Sequence, residues 1–424
     1  MTLYVIIGGS AGAIGAVEGI RKLDPAGEIT VVTEEPVAPY SRPAIGEHLD
    51  GRVDLTSLRF GSPGFWNEYS VRVLLGRRAT SVDLACKTVR LDDGQVLGFD
   101  RLLLATGTLP FIPKIEGMDR EGIYTFTGLN DVQEIRKELP RTNSAVIIGG
   151  GLIGVEAAEA LVNLGIDVTV VELRGWLLNL LLDRDAAGMV ESAMASRSVR
   201  LLRGESVKEI LGREGSPGRV GGVVLSNDTR MQCDLVVSAV GVIPRTELAV
   251  QAGLCVNRGI LVNRFMQTSD SSVYACGDVA EAYELIGGGY RVFAIWYLAR
   301  LGGRVAGANM AGGKVEYPGG LAMSALRYFG VPIVSVGLDV REMTEEFEVL
   351  AKKGSESYRK IVLRGNRVVG FTLVRDIEAA GLMYNLMRNQ TDISGLKERL
   401  LSPDFSFAHL PEKVRRRTLM EAWT

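Results

Sequence analysis

The sequence predicts an α/β protein built on two doubly wound parallel sheets, with a smaller α+β domain at its C-terminal end. Two glycine-rich turns, about 140 residues apart, each stand between an apolar strand-like run and an amphipathic helical pattern. In both cases a second apolar run follows the helix and ends in a carboxylate. This order is typical of βαβ units, and 424 residues are enough for two or three domains.

Composition narrows the function classes before any motif is considered. Hydrophobic residues make up 46% and charged residues 23% of the chain, which is typical of a folded globular protein. The 48 Lys and Arg are balanced by 50 Asp and Glu, so the basic excess of a nucleic-acid-binding protein is lacking and no nucleic acid partner is expected. Because there are only two histidines, we expect neither a metal site nor a Ser-His-Asp triad.

The same inventory predicts a cytoplasmic protein. No stretch of about 18 uninterrupted apolar residues is present, so no membrane span is expected. The first residues run directly into a strand-like pattern, without the charged and apolar regions of a signal peptide. The four cysteines form no CxxC pair, and we expect each to be a buried packing residue, namely Cys86, Cys233, Cys255 and Cys276.

The first glycine-rich turn matches the dinucleotide fingerprint G-x-G-x-x-G/A in part. Gly8 and Ala13 occupy its first and sixth positions, whereas Ser10 takes the third and Gly12 lies within the turn. Glu34 follows the second strand, 26 positions after Gly8 (34 − 8). A carboxylate there accepts both hydroxyls of a ribose while the helix N-terminus holds the pyrophosphate. A strand-to-helix turn without a ligand remains the alternative.

The second turn matches the fingerprint completely. Gly149 permits the tight turn, Gly151 lets the backbone approach the phosphates, and Gly154 lets helix and strand pack closely. Glu172 ends the next strand, 23 positions after Gly149 (172 − 149). Its charge repels a 2′-phosphate, so NADH is preferred over NADPH. Arg174 keeps NADPH open, because an arginine two residues on is able to receive that phosphate.

Four later segments make the pattern more specific. They contain Ala105-Thr106-Gly107, Gly241, Gly277-Asp278 and Trp296. With them the sequence resembles the FAD- and NAD-dependent pyridine nucleotide-disulfide oxidoreductases over nearly its whole length. The resemblance implies two Rossmann-like, glutathione reductase-type dinucleotide-binding domains, with FAD in the first and NADH in the second.

The resemblance also implies how the chain is divided. Residues 1–111 and 238–316 would form a split FAD-binding domain, with the NADH-binding domain inserted at 112–237. Residues 317–424 would form the smaller α+β interface domain, in which a β-hairpin is expected over 360–374. In relatives this domain provides a dimer or partner surface, so we expect a homodimer or a hetero-oligomer.

The resemblance also implies roles for individual residues at the cofactors, and for each residue a purely structural role is the alternative. Asp278 would open a helix and bond a ribityl hydroxyl of FAD, or is an ordinary helix cap. Arg42, with Pro43 beside it, would stabilise the reduced flavin, or forms a surface salt bridge. Glu156 would lie at the nicotinamide–flavin stack, or is a first-turn carboxylate favoured by the helix dipole. The Ala105–Gly107 turn would close over the adenine side of FAD, or is a plain strand end.

Two sets of site residues are therefore predicted, and neither includes a metal ligand. Those expected to take part in catalysis are Glu156 and Arg42. Those expected to bind the two cofactors are Gly8, Ser10, Gly12, Ala13, Glu34, Arg42, Pro43, Ala105, Thr106, Gly107, Gly149, Gly151, Gly154, Glu172, Gly241, Gly277, Asp278 and Trp296.

The segment 39–49 indicates the branch of the family. It contains no cysteine, although dithiol and coenzyme A-disulfide reductases carry one or two there. It resembles instead the rubredoxin and ferredoxin reductases and the flavin subunits of nitrite reductases. That branch often has a Ser-Lys pair where this chain has Gly46-Glu47, and its lysine pairs with the glutamate matched by Glu156. With Glu47 there, we expect either that Glu47 turns outward or that one carboxyl has a raised pKa.

The resemblance implies an FAD-dependent NADH oxidoreductase. Hydride would pass from NADH to FAD, and electrons would then pass to a small redox protein of the rubredoxin or ferredoxin kind, or to an iron–sulfur or dehydrogenase partner subunit. One alternative is an NADH oxidase that reduces oxygen to peroxide or reduces another small acceptor. Another is a non-catalytic flavoprotein that senses NADH. The identity of the acceptor is not contained in the sequence.

Overall fold

The computed structural model describes residues 1–62, 64–337 and 346–421, the last five by their backbone only. The chain forms two compact units: the first comprises residues 1–43, 54–109 and 242–320, and the second comprises 44–53, 110–241 and the described residues from 321 onward. Each unit contains a five-stranded parallel sheet, which confirms the predicted α/β class. The three predicted domain ranges stay a prediction.

The parallel sheet of the first unit consists of strands that are apolar on both faces, as burial between helices requires. Ile6, Val31 and Leu103 are neighbours across three of its strands and are fully buried. The strands are β1 (Leu3–Ile7), β2 (Glu28–Thr33), β3 (Val71–Leu75), β7 (Arg101–Leu104) and β19 (Val273–Ala275). Their order is β19-β7-β1-β2-β3.

Two helices of the first unit pack together unusually closely. Helix α1 (Ala11–Leu23) follows β1, and helix α8 (Trp296–Met310) lies against it. A side chain at Gly303 of α8 would collide with the carbonyl oxygen of Gly12 in α1. Glycine therefore sets the distance between the two helices, and with it the position of the turn that precedes α1.

The remaining elements of the first unit are short. They are α3 (Phe65–Glu68), α7 (Glu247–Gln251), the antiparallel sheet of β4 (Ala79–Asp83), β5 (Thr88–Leu91) and β6 (Val96–Gly98), the pair β8 (Thr108–Pro110) and β17 (Val242–Pro244), and the sheet of β18 (Ile260–Leu261), β20 (Ala280–Tyr283) and β21 (Tyr290–Val292).

A helix begins at Gly277-Asp278, as expected, but it is short. The chain forms only a three-residue 3-10 helix, Gly277–Val279. The backbone is extended again at Ala280, because β20 begins there by pairing with β18 and then pairs with β21 from Glu281 onward.

The second unit repeats the parallel βαβ arrangement. Its sheet has the order β12-β11-β10-β16-β9, with the parallel strands β9 (Ile123–Tyr124), β10 (Ser144–Ile148), β11 (Asp167–Glu172), β12 (Arg200–Arg203) and β16 (Leu235–Ser238). The helices around it are α2 (Ile45–Leu49), α4 (Leu129–Glu138), α5 (Leu152–Asn163) and α6 (Arg184–Ser196), and a side sheet contains β13 (Val207–Arg213), β14 (Ser216–Leu225) and β15 (Arg230–Gln232).

An antiparallel sheet completes the second unit and packs against α5 and α6. Tyr358 donates a hydrogen bond of 2.7 Å to Asp183, the N-cap of α6, and thereby ties the sheet to this helix. The predicted hairpin is confirmed, and its strands are Tyr358–Arg364 and Arg367–Val374. The elements are β22 (Met323–Tyr328), β23 (Val331–Gly337), β24 (Phe347–Lys353), β25 (Tyr358–Arg364), β26 (Arg367–Val374), α9 (Ala380–Arg388), α10 (Lys397–Leu400) and α11 (Glu412–Glu421).

Candidate nucleotide-binding site

The first glycine-rich turn joins β1 to α1 and has the geometry of an anion-binding turn. Gly8 has φ of 118°, and a side chain there would collide with the carbonyl oxygen of Ala105. Ser10 is the N-cap residue of α1 but makes no capping hydrogen bond through its side chain. The Ser10 side chain therefore leaves the first amides of α1, which include those of Gly12 and Ala13, open to another acceptor, and they fit a pyrophosphate.

The second turn joins β10 to α5 and repeats this geometry. Gly149 has φ of 105°, and a Cβ atom there would lie 2.5 Å from the carbonyl oxygen of Ala239. Gly151 is the N-cap residue of α5, again without a side-chain cap, and its missing side chain faces open space. A side chain at Gly154 would collide with the backbone of Gly149. The turn thus fits a second dinucleotide.

The carboxylate of Glu172 is tied to this second turn. It accepts hydrogen bonds from the backbone N–H groups of Gly150 at 2.6 Å and Arg174 at 2.7 Å, and the residue is only 6% exposed. The side chain of Asn179 approaches the same carboxylate at 3.3 Å. Glu172 therefore braces the backbone around the turn, and its contact with a ribose stays a prediction.

Glu34 lies in a different environment at the end of β2. It forms a two-pronged salt bridge with Arg245, with N–O distances of 2.7 and 2.6 Å, and lies 3.7 Å from Arg78. Glu34 and Arg78 line an open pocket of about 320 Å³ together with Gly76 and Asp92. Neither arginine could be predicted as a partner of Glu34, because nothing in the spacing of their segments links them to it.

The turn at 105–107 positions Arg245. Thr106 donates to the backbone oxygen of Arg245 at 2.8 Å, and the carbonyl oxygen of Gly107 accepts from the backbone N–H of Arg245 at 2.9 Å. In the second unit, Gly241 has φ of 121° and its oxygen accepts a hydrogen bond from Phe111 at 2.9 Å. Both glycines thus follow strand ends, as expected, and their cofactor contacts stay predictions.

Asp278 and Trp296 each offer a polar group without a side-chain partner. Within the part of the chain that the structure describes, the Asp278 carboxylate forms no side-chain hydrogen bond and no ion pair, and burial raises its pKa to about 6 although Arg42 opposes this. Trp296 packs edge-on against Phe60, with ring centroids 4.0 Å apart, and its buried Nε1 has no acceptor among the described residues. Groups of this kind fit a flavin nucleotide.

Arg42 and Pro43 lie in the 3-10 helix Arg42–Ala44. The Arg42 guanidinium is 3.0 Å from Glu35 and lies over the ring of Tyr40 at 5.3 Å from the ring centroid. The salt bridge given as the alternative for Arg42 is thus present. The role of Arg42 and Pro43 at the flavin stays a prediction.

Glu156 and Gly46 meet inside the second unit. The backbone N–H of Gly46 in α2 donates a hydrogen bond of 2.9 Å to Oε1 of Glu156 in α5. Glu47 is exposed, and the loss of solvent around Glu156 raises the pKa of this carboxyl to about 8. Glu47 thus turns outward, which is the first of the two outcomes expected from the Gly46-Glu47 departure, and the pKa of Glu156 is raised chiefly by loss of solvent. That residues 44–53 pack on the second nucleotide fold could not be inferred from the spacing of any motif.

The cysteines divide into two classes. Cys233 and Cys276 are buried as expected, and burial raises the pKa of each thiol to about 12. For Cys86 and Cys255 the expectation of burial is wrong, because Cys86 lies in the turn between β4 and β5 and Cys255 lies in the loop after α7. Among residues 1–62, 64–337 and 346–421, no group of three or more His, Cys, Asp or Glu is placed to hold a metal ion.

Family comparisons agree with this geometry. Residues 2–303 match the pyridine nucleotide-disulphide oxidoreductase family, and residues 323–391 match the rubredoxin NAD⁺ reductase C-terminal domain. Among solved structures, the NAD-dependent persulfide reductase from A. fulgidus has a TM-score of 0.88 at 27% identity, with 99% of this chain and 83% of that chain covered.

Curated relatives include whole proteins and parts of larger ones. The NADH-dependent phenylglyoxylate dehydrogenase subunit epsilon of Aromatoleum evansii is 31% identical, over 100% of this chain and 98% of that protein. Nitrite reductase [NAD(P)H] of Bacillus subtilis is also 31% identical over 92% of this chain, but the chain spans only 48% of that protein. Rubredoxin-NAD(+) reductase of Pseudomonas putida is 30% identical over 67% of this chain. The chain belongs to the pyridine nucleotide-disulphide oxidoreductase family, whose enzymes use FAD and NAD(P)H, as its motifs predicted.

Proposed function

We propose that the protein is an FAD-dependent NADH oxidoreductase that passes electrons to a redox protein or to a partner subunit. The observation that carries the proposal is the repeated turn: two glycine-rich turns, each followed by a helix whose N-terminus has no side-chain cap. Two dinucleotides are thus accommodated in one chain. No cysteine is present in the segment 39–49 to take electrons onward as a thiol.

The division of labour between cofactor and protein follows from the site. A bound flavin would supply the redox chemistry. The protein's part is binding and orientation: the α1 and α5 amides hold the two pyrophosphates, and Asp278 accepts a hydroxyl hydrogen bond. Arg42 is the cation assigned to the reduced flavin. This assignment needs no acid–base triad, which suits a chain with only two histidines.

A stably bound partner subunit is one of two acceptor classes that the comparisons support. The relative that matches this chain over 98% of its own length is named as a subunit of a dehydrogenase. The match of residues 323–391 to a rubredoxin NAD⁺ reductase domain supports a small redox protein as the other acceptor class. A homodimer or hetero-oligomer and a cytoplasmic location belong to the same proposal. No helix in the described ranges is long and apolar enough to span a membrane.

NADH, and not NADPH, is the proposed electron donor. The Glu172 carboxylate lies at the end of β11, beside the turn that would hold the nucleotide pyrophosphate. Its charge disfavours a 2′-phosphate at that edge. Arg174, two residues further on, is exposed. If NADPH were bound, this arginine would be the residue that receives its 2′-phosphate.

An anaerobic reduction experiment tests the proposed function. NADH is added to the FAD-loaded protein, flavin absorbance is followed, and rubredoxin or an iron–sulfur protein is then added. We expect rapid bleaching, and reoxidation by the redox protein that is much faster than reoxidation by air. Fast reoxidation by air would favour an NADH oxidase instead. A long-lived NADH complex that no acceptor discharges would favour an NADH-sensing role.

A further inference from the structure

Three charged side chains meet at the carboxyl ends of two neighbouring strands of the first unit. Glu34 follows β2, Arg78 follows the adjacent strand β3, and Arg245 follows β17. The Glu34 carboxylate accepts two hydrogen bonds from Arg245, of 2.7 and 2.6 Å, and lies 3.7 Å from Arg78. The two arginines therefore contact the same carboxylate in different ways.

Arg245 is fixed at both its backbone and its side chain. Its N–H donates to the carbonyl oxygen of Gly107 at 2.9 Å, and its own carbonyl oxygen accepts from the Thr106 hydroxyl at 2.8 Å. Its guanidinium is half-buried, and both Nη atoms donate to Glu34. A two-pronged contact of this kind fixes the orientation of a carboxylate as well as balancing its charge. Arg245 thus determines how the two Glu34 oxygens are presented.

The contact with Arg245 leaves Glu34 able to accept further hydrogen bonds. An ionised carboxylate has about four acceptor positions, divided between its two oxygens. Arg245 takes one position on each oxygen, and the 3.7 Å contact with Arg78 is too long to be a hydrogen bond. The side chain is exposed, so the remaining positions are open to a ligand. An acceptor position on each oxygen suits the two hydroxyls of a ribose.

Arg78 is placed to meet a ligand directly. Its side chain is exposed and lines the open pocket of about 320 Å³ together with Glu34, Gly76 and Asp92. Among the residues that the structure describes, its guanidinium donates no hydrogen bond and makes only the 3.7 Å ion pair with Glu34. Its backbone is fixed, because its carbonyl oxygen accepts from the N–H of Asp92 at 2.9 Å. The guanidinium is a flat cation, and such groups stack on aromatic faces.

We propose that the two arginines build a subsite for the adenosine half of FAD around Glu34. Arg245 is a positioning residue that orients the carboxylate toward the ribose hydroxyls, and Arg78 stacks on the adenine. The inference rests on the proposed function, because it needs FAD as the flavin of the first unit. A ribose bound at Glu34 carries its base into the same pocket, where a planar cation gains stacking and cation–π attraction from the aromatic ring.

The neighbouring arginine provides a matched control. Arg77 precedes Arg78 in the chain and is also exposed, but its Nε lies 3.1 Å from Asp93 and it does not line the pocket. Its removal takes away the same charge from the same segment without touching the proposed subsite.

Flavin titrations test this subsite. The full-length protein is freed of flavin, and FAD or FMN is added while flavin fluorescence is followed; FMN is the probe that lacks the adenosine half. We expect Arg78→Ala and Arg245→Ala each to raise the Kd for FAD about fivefold to tenfold and to leave the Kd for FMN unchanged within about twofold. Arg77→Ala should leave both Kd values unchanged. Arg245→Lys, which loses the two-pronged contact, replaces Arg245→Ala if that variant does not accumulate.

Further variants separate the two roles. Arg78→Lys keeps the charge but loses the flat surface, so it should bind FAD nearly as weakly as Arg78→Ala. Because Arg245 acts through Glu34, Arg245→Ala should add little to the effect of Glu34→Gln on the Kd for FAD. Arg78→Ala combined with Glu34→Gln should weaken FAD binding further than either change alone, because it removes a separate contact.

The outcomes separate this inference from the proposed function. Arginine variants that bind FAD as tightly as the wild type, or that weaken FAD and FMN alike, would overturn the subsite and leave a flavin enzyme standing. An Arg77→Ala variant that weakens FAD binding as much as Arg78→Ala, or an Arg78→Lys variant that binds FAD like the wild type, would overturn the stacking role. A folded wild-type protein that takes up neither flavin would overturn the proposed function itself.

Discussion

The two nucleotide folds of this chain share a turn but differ in what supports it. In both, the first glycine of the turn packs on a carbonyl oxygen that follows a neighbouring strand, Ala105 for Gly8 and Ala239 for Gly149. The helix behind the first turn is fixed by glycine contacts with α8, whereas α5 contacts α2 through the Glu156 side chain. The turns themselves pack alike, but the helix behind the first is held by glycine packing on a second helix, whereas the helix behind the second is held to α2 by a hydrogen bond from a backbone N–H to a side chain.

The carboxylates at the ends of the second strands also differ in the groups that hold them. Glu34 in the first fold is 40% exposed at its side chain and is held by arginines, whereas Glu172 in the second fold is buried and held by backbone N–H groups. An exposed ion pair is weakened by solvent and salt, and a buried carboxylate with two amide donors is not. Glu172 should therefore contribute more to the free energy of unfolding than Glu34, although both residues end the strand that follows a glycine-rich turn and its helix.

The largest expected effect comes from breaking the packing of α1 on α8. Gly303→Val should collide with the backbone at Gly12 and lower the free energy of unfolding of the first unit by about 3 kcal/mol, because neither helix backbone has room to retreat. Denaturant unfolding followed by flavin fluorescence measures it. Gly303→Ala serves as the milder variant if the valine variant does not accumulate.

A glycine elsewhere in a helix provides the matched control. Gly188 lies in α6, where a Cβ atom would meet nothing within 4 Å. Gly188→Ala should stabilise the second unit by up to about 1 kcal/mol through helix propensity alone. A Gly303→Val protein as stable as the wild type would show that glycine does not set the α1–α8 distance.

An intermediate effect should separate the two strand-end acids. Glu172→Gln places an amide donor against a backbone N–H and should cost about 2 kcal/mol of stability, whereas Glu34→Gln should cost about 0.5 kcal/mol. Glu172→Gln should also raise KM for NADH more than KM for NADPH, because it removes the charge that repels a 2′-phosphate. Equal changes in the two KM values would mean that Glu172 does not face the ribose.

The fold class and the two glycine-rich turns of the candidate site could be predicted from the sequence. Apolar runs next to glycine-rich turns identified both parallel sheets, because the turn and the strand that feeds it are local features. The hairpin of β25 and β26 was also predictable, since its turn, Arg364–Arg367, lies between alternating apolar segments.

What the sequence could not supply depends on contacts between distant segments. Arg245 reaches Glu34 from 211 positions away, and Gly46 reaches Glu156 from 110 positions away. No local periodicity encodes either contact. The shortness of the helix at Gly277 has a related cause, because strand pairing at Ala280 prevents the helix from continuing. The exposure of Cys86 could not be predicted, because the sequence does not show that this residue lies in the turn between two strands and not within a strand.

The smallest effect is expected from the cysteines, and it distinguishes the two folds once more. In the first fold the Cys276 thiol packs against the glycine-rich turn, 2.8 Å from where a Cβ atom of Gly12 would be, while in the second fold the missing side chain of Gly151 faces open space. A thiol reagent at pH 8 should modify Cys86 and Cys255 in the native protein and reach Cys233 and Cys276 only after unfolding, because burial both blocks access and raises the pKa of the latter two thiols to about 12.

The rate of acceptor reduction by the labelled protein shows whether any modified thiol takes part in electron transfer. Since the two exposed thiols lie in surface loops, their modification should leave the NADH-dependent reduction of the acceptor unchanged. Mass spectrometry of the labelled peptides, before and after reduction by NADH, gives the site of each modification. If Cys276 became reactive in the folded, reduced protein, or if blocking the exposed pair stopped acceptor reduction, a thiol would belong to the electron path and the first fold would have more than a binding role.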